Sequence, residues 1–303
     1  MKTQLLTILA VSTITLSSCY KNESPEPELQ AINFNGKINN LQATINTGTP
    51  NTTWANNDEI GLFMVNRGTS GVTEGYSNRR FTYTAGQFAA VSGQEMYYPV
   101  SDSKVDFIAY YPFFPGGDIN LPLMINVSNQ SNPSSLDLLY AKSTNSGTGF
   151  NKTAGVNVPL EFNHMLSKII IKPLAGNGFS NIDPSWTSMS VIINGLITQS
   201  SFNLNTGTLA PSSIVSGPIV PFTRAMGVSY EAIVIPSIYP AVGAVTFSFQ
   251  LAGNSYVWKS QANETFEAGK EYTYTINVNK TGVTLGGLTI NDWQNVSRSG
   301  VAN

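Results

Sequence analysis

Tyr272-Thr273-Tyr274-Thr275-Ile276-Asn277-Val278 alternates apolar and polar side chains without a break, the period of two that lays one residue set on each face of a β-strand. Val245-Thr246-Phe247-Ser248-Phe249-Gln250-Leu251 repeats the pattern. Outward from these two stretches, short runs rich in β-branched and aromatic residues occupy positions 60–65, 105–111, 168–171, 191–193 and 231–235, each bounded by Gly, Asn or Pro. No long helical period interrupts them. Residues 112–122 and 126–135 are rich in Gly, Asn, Pro and Ser and read as surface loops, since Gly116-Gly117 and Pro133 cannot sit inside central strands. The expectation is an all-β chain of two tandem β-sandwich domains, residues 31–158 and 159–303. Leu62, Phe63 or Met64 would belong to one core and Ile169 to Ile171 to the other, with Leu62 and Met64 on the same side of their strand.

The first thirty residues have a different grammar. Met1-Lys2 gives a small positive start, and Leu5-Leu6-Thr7-Ile8-Leu9-Ala10-Val11-Ser12-Thr13-Ile14 is an apolar run too short to span a bilayer. It reads as a cleaved export signal, residues 1–18. Leu16-Ser17-Ser18-Cys19 then places one large aliphatic and two small residues before the single cysteine, the pattern of a bacterial lipobox. Cys19 has no disulfide partner, so its thiol is expected to carry the lipid that holds the mature chain at the outer membrane. Residues 19–30 form an acidic tether broken by Pro25 and Pro27, unable to fold alone.

Charged residues are only 11 % of the chain and the net charge is −2, so no basic cluster is available to replace the counterions of a nucleic acid. Solubility must rest on neutral Asn, Ser, Thr and Gly. Without disulfides, stability must come from packed β cores.

Five motifs carry further information. They are Trp54-Ala55-Asn56-Asn57-Asp58-Glu59-Ile60-Gly61-Leu62-Phe63-Met64; Tyr97-Tyr98-Pro99 followed by Val105-Asp106-Phe107-Ile108-Ala109-Tyr110-Tyr111-Pro112; Asp137-Leu138-Leu139-Tyr140-Ala141; Leu160-Glu161-Phe162-Asn163-His164-Met165-Leu166-Ser167-Lys168; and Ile290-Asn291-Asp292-Trp293. In this order, behind a lipobox, they make the chain resemble the fimbrillin family of Bacteroidales, the subunits and accessory lipoproteins of type V pili. The resemblance implies transthyretin-like sandwiches, a place at the cell surface or in a pilus, a role in adhesion to a host or bacterial surface ligand, and partners that are other pilus subunits joined by strand addition. In polymerising members a trypsin-like protease cuts after arginine and removes an N-terminal strand, and a neighbour's extended segment fills the groove. The corresponding strand here is Ala31-Ile32-Asn33-Phe34 with Leu41-Gln42-Ala43-Thr44-Ile45. This chain departs from the pattern, because Ile45 stands where arginine is common and no arginine occurs between Cys19 and Arg67. Either the strand stays in place, or a protease of another preference cuts near Lys37.

The motif residues also have a purely structural reading. Asp58 can cap a turn by accepting backbone N–H bonds, Gly61 permits close backbone approach, and Trp54 and Trp293 seal core edges. His164 is the only histidine and reads as a hydrogen-bonded structural residue; with no second histidine and no free thiol, neither a zinc site nor a nucleophilic triad has material to build on. Asp58/Glu59 and Asp102/Asp106 lie at turns and strand edges without nominating acid/base chemistry. No cofactor and no enzymatic activity are expected. The clusters at Tyr97-Tyr98, Tyr110-Tyr111 and Phe113-Phe114 invite an alternative, a glycan-binding surface lipoprotein unrelated to pili, against the expectation that one ring of each Tyr pair faces the core and its neighbour faces out. Replacing Cys19 with Ala is expected to release the protein from the outer membrane or stall it unprocessed; continued palmitate labelling of Cys19→Ala would refute the anchor.

Overall fold

The computed structural model describes residues 29–39, 54–155, 157–210 and 215–293. Cys19, Leu41 and Ile45 lie outside them. In chain order the described strands are β1 Asn33–Ile38, β2 Glu59–Asn66, β3 Arg79–Thr84, β4 Gln87–Ala90, β5 Val105–Tyr111, β6 Leu123–Asn126, β7 Leu139–Ser143 and β8 Asn157–His164. They continue with β9 Ser167–Ala175, β10 Ser190–Asn194, β11 Gln199–Asn203, β12 Thr208–Leu209, β13 Phe222–Ala225, β14 Ser229–Val234 and β15 Ser237–Tyr239, then β16 Thr246–Leu251, β17 Asn254–Lys259, β18 Glu264–Phe266, β19 Lys270–Asn279 and β20 Gly282–Asp292. The fold is all-β.

The first eight strands, without β6, close into a barrel in the order β1-β4-β3-β2-β5-β7-β8, where the sequence pattern points to an open two-sheet sandwich. The closing step is the β1–β8 pairing, which is parallel and spans most of the first half of the chain. Nothing local in the sequence encodes it. Positions 158 and 159, where the sequence places a domain boundary, lie within β8, the barrel's last strand. The second half is a sandwich: β13-β14-β9-β19-β20 form one sheet and β10-β16-β17 another, and Phe247 of β16 meets Tyr274 of β19 edge-on at 5.0 Å.

Strict alternation in β2 sends Ile60, Leu62 and Met64 into the barrel, where they cluster with Phe34, Phe81, Phe107 and Phe162. It sends Phe63 and Val65 the other way. Those two join Ile108, Tyr110 and Tyr140 in a second cluster that also holds Ile169, Ile171 and Phe202. The expected separation of cores therefore holds for Leu62 and Met64 but not for Phe63, because β2 and β5 are covered on both faces and their outward residues belong to the sandwich core. Two further links tie the halves. Strand β6 leaves the barrel to pair antiparallel with β11. Buried Gln130 uses its side-chain amide as a peptide group, donating to the Ile233 carbonyl and accepting from the Ile233 N–H, both at 2.9 Å.

This coupling predicts that the two halves melt together. Phe63→Ala is expected to cost about 3–5 kcal/mol and to shift one calorimetric transition; two resolved transitions in the native chain would contradict it.

Candidate functional site

The strand with the most to say about function is β1. Its outward residues, Asn33, Asn35 and Lys37, are exposed, and Ile32, Phe34 and Ile38 are buried in the barrel. Between Phe34 and Ile38 the inward position is Gly36, where a Cβ would come within 2.5 Å of the Phe88 ring and 3.3 Å of Phe162. The glycine is what lets the strand pass between those two rings. The Phe34 ring meets Phe81 at 5.1 Å and Phe107 at 5.2 Å, both edge-on, a geometry that adds to the stabilisation from burial alone.

On the main chain, β1 pairs residue for residue with β8 from Asn33↔Asn157 to Ile38↔Phe162, and with β4 at Phe34↔Phe88. The N-terminal approach is held by Ile32 N–H to the Met96 carbonyl at 3.0 Å and Tyr98 N–H to the Gln30 carbonyl at 3.1 Å, with Ala31 bridged to Tyr97. The far end is held by Asn39 N–H to the Phe162 carbonyl at 2.7 Å. Lys37 and Glu161 lie opposite each other at 2.6 Å, an exposed pair that contributes little. Strand β1 thus runs through Gly36 and Lys37, beyond the segment 31–34 marked out by the sequence.

Trp54 serves this strand directly. Its indole N–H donates to the Gly36 carbonyl at 3.0 Å, and its rings pack edge-on against Phe88, Phe162 and Tyr111 at 4.9, 5.0 and 5.5 Å. Asp58 closes the turn after it, accepting the Ala55 N–H at 2.8 Å and the Tyr111 hydroxyl at 3.2 Å. Gly61 lies opposite Tyr110, and a Cβ there would meet the Tyr110 ring at 2.2 Å. That ring's hydroxyl donates to Asn78 Oδ1 at 2.8 Å and accepts the Phe114 N–H at 3.2 Å. Burial pushes the Tyr110 pKa up to about 12, against the lowering effect of its hydrogen bonds.

His164, Asp137 and Trp293 meet elsewhere, at the end of β8. His164 Nδ1 lies 2.7 Å from Asp137 Oδ1, and Trp293 stacks on the imidazole at 4.3 Å and 10°. The buried Nε2 has no hydrogen-bond partner among the described residues. Lys168 sits 5.8 Å from the Trp293 ring and 2.7 Å from Glu271. The cluster fastens the end of β20 to the end of β8.

The carboxylates do not converge. Asp106 pairs with Arg67 at 2.9 Å, Asp102 accepts from Asn151 and the Lys152 N–H, and Glu59 lies 3.7 Å from Arg80. Among the described residues no group of three or more His, Cys, Asp and Glu is placed to hold a metal.

Of the aromatic pairs, Tyr98 is buried beside a half-buried Tyr97. Tyr110 and Tyr111 both pack: Tyr110 enters the shared core and Tyr111 the rim of the barrel core. Phe114 is exposed beside a cleft of about 330 Å³ lined by Phe113, Leu121, Met124, Leu136 and Leu138, and Arg80 lies 5.6 Å from the Phe113 ring.

The Trp54–Gly36 bond yields a test. Trp54→Phe keeps an aromatic side chain at the site, smaller by the pyrrole portion, and removes the N–H bond to Gly36, a net loss of about 0.5–1.5 kcal/mol from the hydrogen bond itself. Amides of β1 should then exchange roughly 2- to 10-fold faster while those of β2 hold; equal acceleration of both would mean that Trp54 supports the whole barrel and not β1 in particular.

Comparison with known proteins bears on the same elements. The sequence model of the fimbrillin-like family matches residues 43–293, a span that begins after β1 and ends at Trp293. The "Putative fimbrium subunit Fim1C" of Bacteroides uniformis is 30 % identical over 311 residues, covering 97 % of this chain and 96 % of that protein. The crystal structure of a "putative cell adhesion protein" from Bacteroides uniformis superposes with a TM-score of 0.72 at 28 % identity, over 88 % of this chain and 99 % of that one. One from Bacteroides ovatus shares the fold, with a TM-score of 0.67 at 21 % identity over 89 % and 100 % of the two chains. A match through both halves and the motifs that hold them together places this chain in the fimbrillin-like family.

Proposed function

We propose that this chain is a non-enzymatic surface subunit of, or accessory to, an outer-membrane pilus with a role in adhesion, anchored through lipid on Cys19, and that β1 fills the slot a donor strand takes in polymerising members. The observation that carries the reading is the β1 slot. Taking β1 away would leave the facing edges of β8 and β4 unpaired along that gap and expose the apolar walls around Phe34, a groove suited to an extended segment with apolar residues at alternate positions. Main-chain bonds would supply affinity and the alternate pockets specificity.

In this chain the strand is held back from exchange. Ile45 stands where the processed members carry arginine, so a trypsin-like protease lacks its residue at that point. Lys37, the nearest basic residue, lies inside the β1–β8 ladder opposite Glu161, and cleavage there would require the ladder to open first. An attached strand competes at an effective concentration on the order of millimolar or higher, so a free donor cannot displace it. A subunit with a filled slot accepts no neighbour at that groove and fits the membrane base of a pilus or an accessory position.

Ile45→Arg followed by a trypsin-like protease is expected to yield a clipped species and oligomers that resist warm detergent. Mass spectrometry of the chain from native outer membranes should find a mature N-terminus at Cys19. An N-terminus beyond Ile45, together with detergent-resistant ladders of the unmodified protein, would make it an ordinary polymerising subunit; absence from pilus and outer-membrane fractions alike would end the pilus reading.

A further inference from the structure

The barrel is closed, but the sandwich has an open side at β20. This strand is the last of its sheet and among the described residues pairs only with β19. Strand β17, the outer strand of the facing sheet, lies near it with no ladder between them. Between Gly282 and Asn291 the strand carries no charge and no proline, the features by which natural edges ordinarily repel one another.

Two properties of β20 single out its partner. The first is an irregularity. The β19–β20 register shifts between Thr275 and Ile276: Gly287 lies opposite Thr275, Leu285 opposite Ile276, and Gly286 is the extra residue of a bulge. Directly opposed residues of an antiparallel pair point to one face, and Val283, Leu285, Leu288 and Ile290 lie opposite Val278, Ile276, Tyr274 and Tyr272, all buried. The bulge therefore turns all four apolar side chains toward the core side. Leu285, Leu288 and Ile290 are nonetheless 43 %, 40 % and 54 % exposed, a core-facing row that the described strands leave half uncovered.

The second property is symmetry. Val283-Thr284-Leu285-Gly286-Gly287-Leu288-Thr289-Ile290 reads nearly the same in both directions. Laid antiparallel on itself about an axis between the two glycines, it puts leucine against leucine, threonine against threonine and valine against isoleucine. In a regular strand this pairing is impossible, because Leu285 and Leu288 are three apart and would point to opposite faces. The bulge removes that conflict.

We propose that β20 is a homophilic docking edge: two copies of this chain join antiparallel about a two-fold axis between Gly286 and Gly287, with Leu285 against the partner's Leu288, Thr284 against the partner's Thr289 and Val283 against the partner's Ile290. The contact is isologous, so it closes at two and cannot propagate a fibre. It pairs subunits side by side and stands apart from the pilus reading, since it uses neither the β1 slot nor its processing.

The test uses the purified full chain carrying Cys19→Ala, so that any introduced thiol is the only one. Light scattering across a concentration series should show a monomer–dimer equilibrium. Thr284→Lys with Thr289→Lys, at exposed positions on the outer face, would set ammonium groups directly opposite one another in both symmetric pairs and should weaken the dimer about tenfold or more with the circular dichroism unchanged. Chains bearing Thr284→Cys and chains bearing Thr289→Cys should form disulfide dimers on mixing and not separately. A monomer at every concentration, a dimer indifferent to the two lysines, or cross-linking as efficient in the separate samples as in the mixture would each overturn the proposal.

Discussion

Closure of the barrel rests on one ladder, the parallel pairing of β1 with β8. The first of the described strands lies against one laid down more than a hundred residues later, and only then do the barrel's two remaining edges disappear. Every device around β1 serves that contact. Gly36 gives room for the rings of Phe88 and Phe162, Trp54 takes the Gly36 carbonyl, and Phe34 fills the space among Phe81 and Phe107. Parallel pairing at long sequence separation is entropically expensive to form, and these side-chain contacts offset the cost.

The second constraint is that β2 and β5 have no wet face. Ile60, Leu62 and Met64 look into the barrel while Phe63 and Val65 look into the sandwich, so a disturbance of either core is felt through one shared strand. The Gln130 clip on Ile233 and the β6–β11 pairing add polar links to the same junction. At the far end, Trp293 stacked on His164 ties the last strand back to β8. The slot that β1 fills in the barrel is thus walled by strands whose other faces are fixed by the second half of the molecule.

Much of the strand content was legible. Residues 105–111 are β5 to the residue, and 272–278 fall within β19, because period-two alternation and β-branched runs report a half-buried or buried strand directly. What could not be read depends on non-local pairing. The same alternation serves a sandwich and a barrel, and the choice lies in whether β1 reaches β8. The double life of Phe63 was hidden because a continuous apolar run tells that both faces are buried but not against what. Strand β20 escaped for a local reason: Gly286-Gly287 and the bulge break the alternation, so its apolar residues at 283, 285, 288 and 290 fit no single period. In the candidate site, Ile32 and Phe34 were marked by the resemblance to the fimbrillin family, whereas the roles of Gly36 and of the Trp54 N–H emerge only when the neighbouring rings are in place.

The two ends of the molecule manage strand edges in opposite ways, and that contrast bears on how the subunit associates. The barrel has no free edge while β1 is present, so strand addition there demands that a covalently attached segment leave. The sandwich keeps an edge that between Gly282 and Asn291 carries no charge and whose sequence repeats under a two-fold rotation. A slot that takes a foreign strand is heterologous and can build a chain of subunits; an edge that matches itself is isologous and stops at a pair. If the first is held shut by its own strand and the second docks a second copy, as proposed, the association of this chain is lateral and finite, and neither edge offers a route to a fibre.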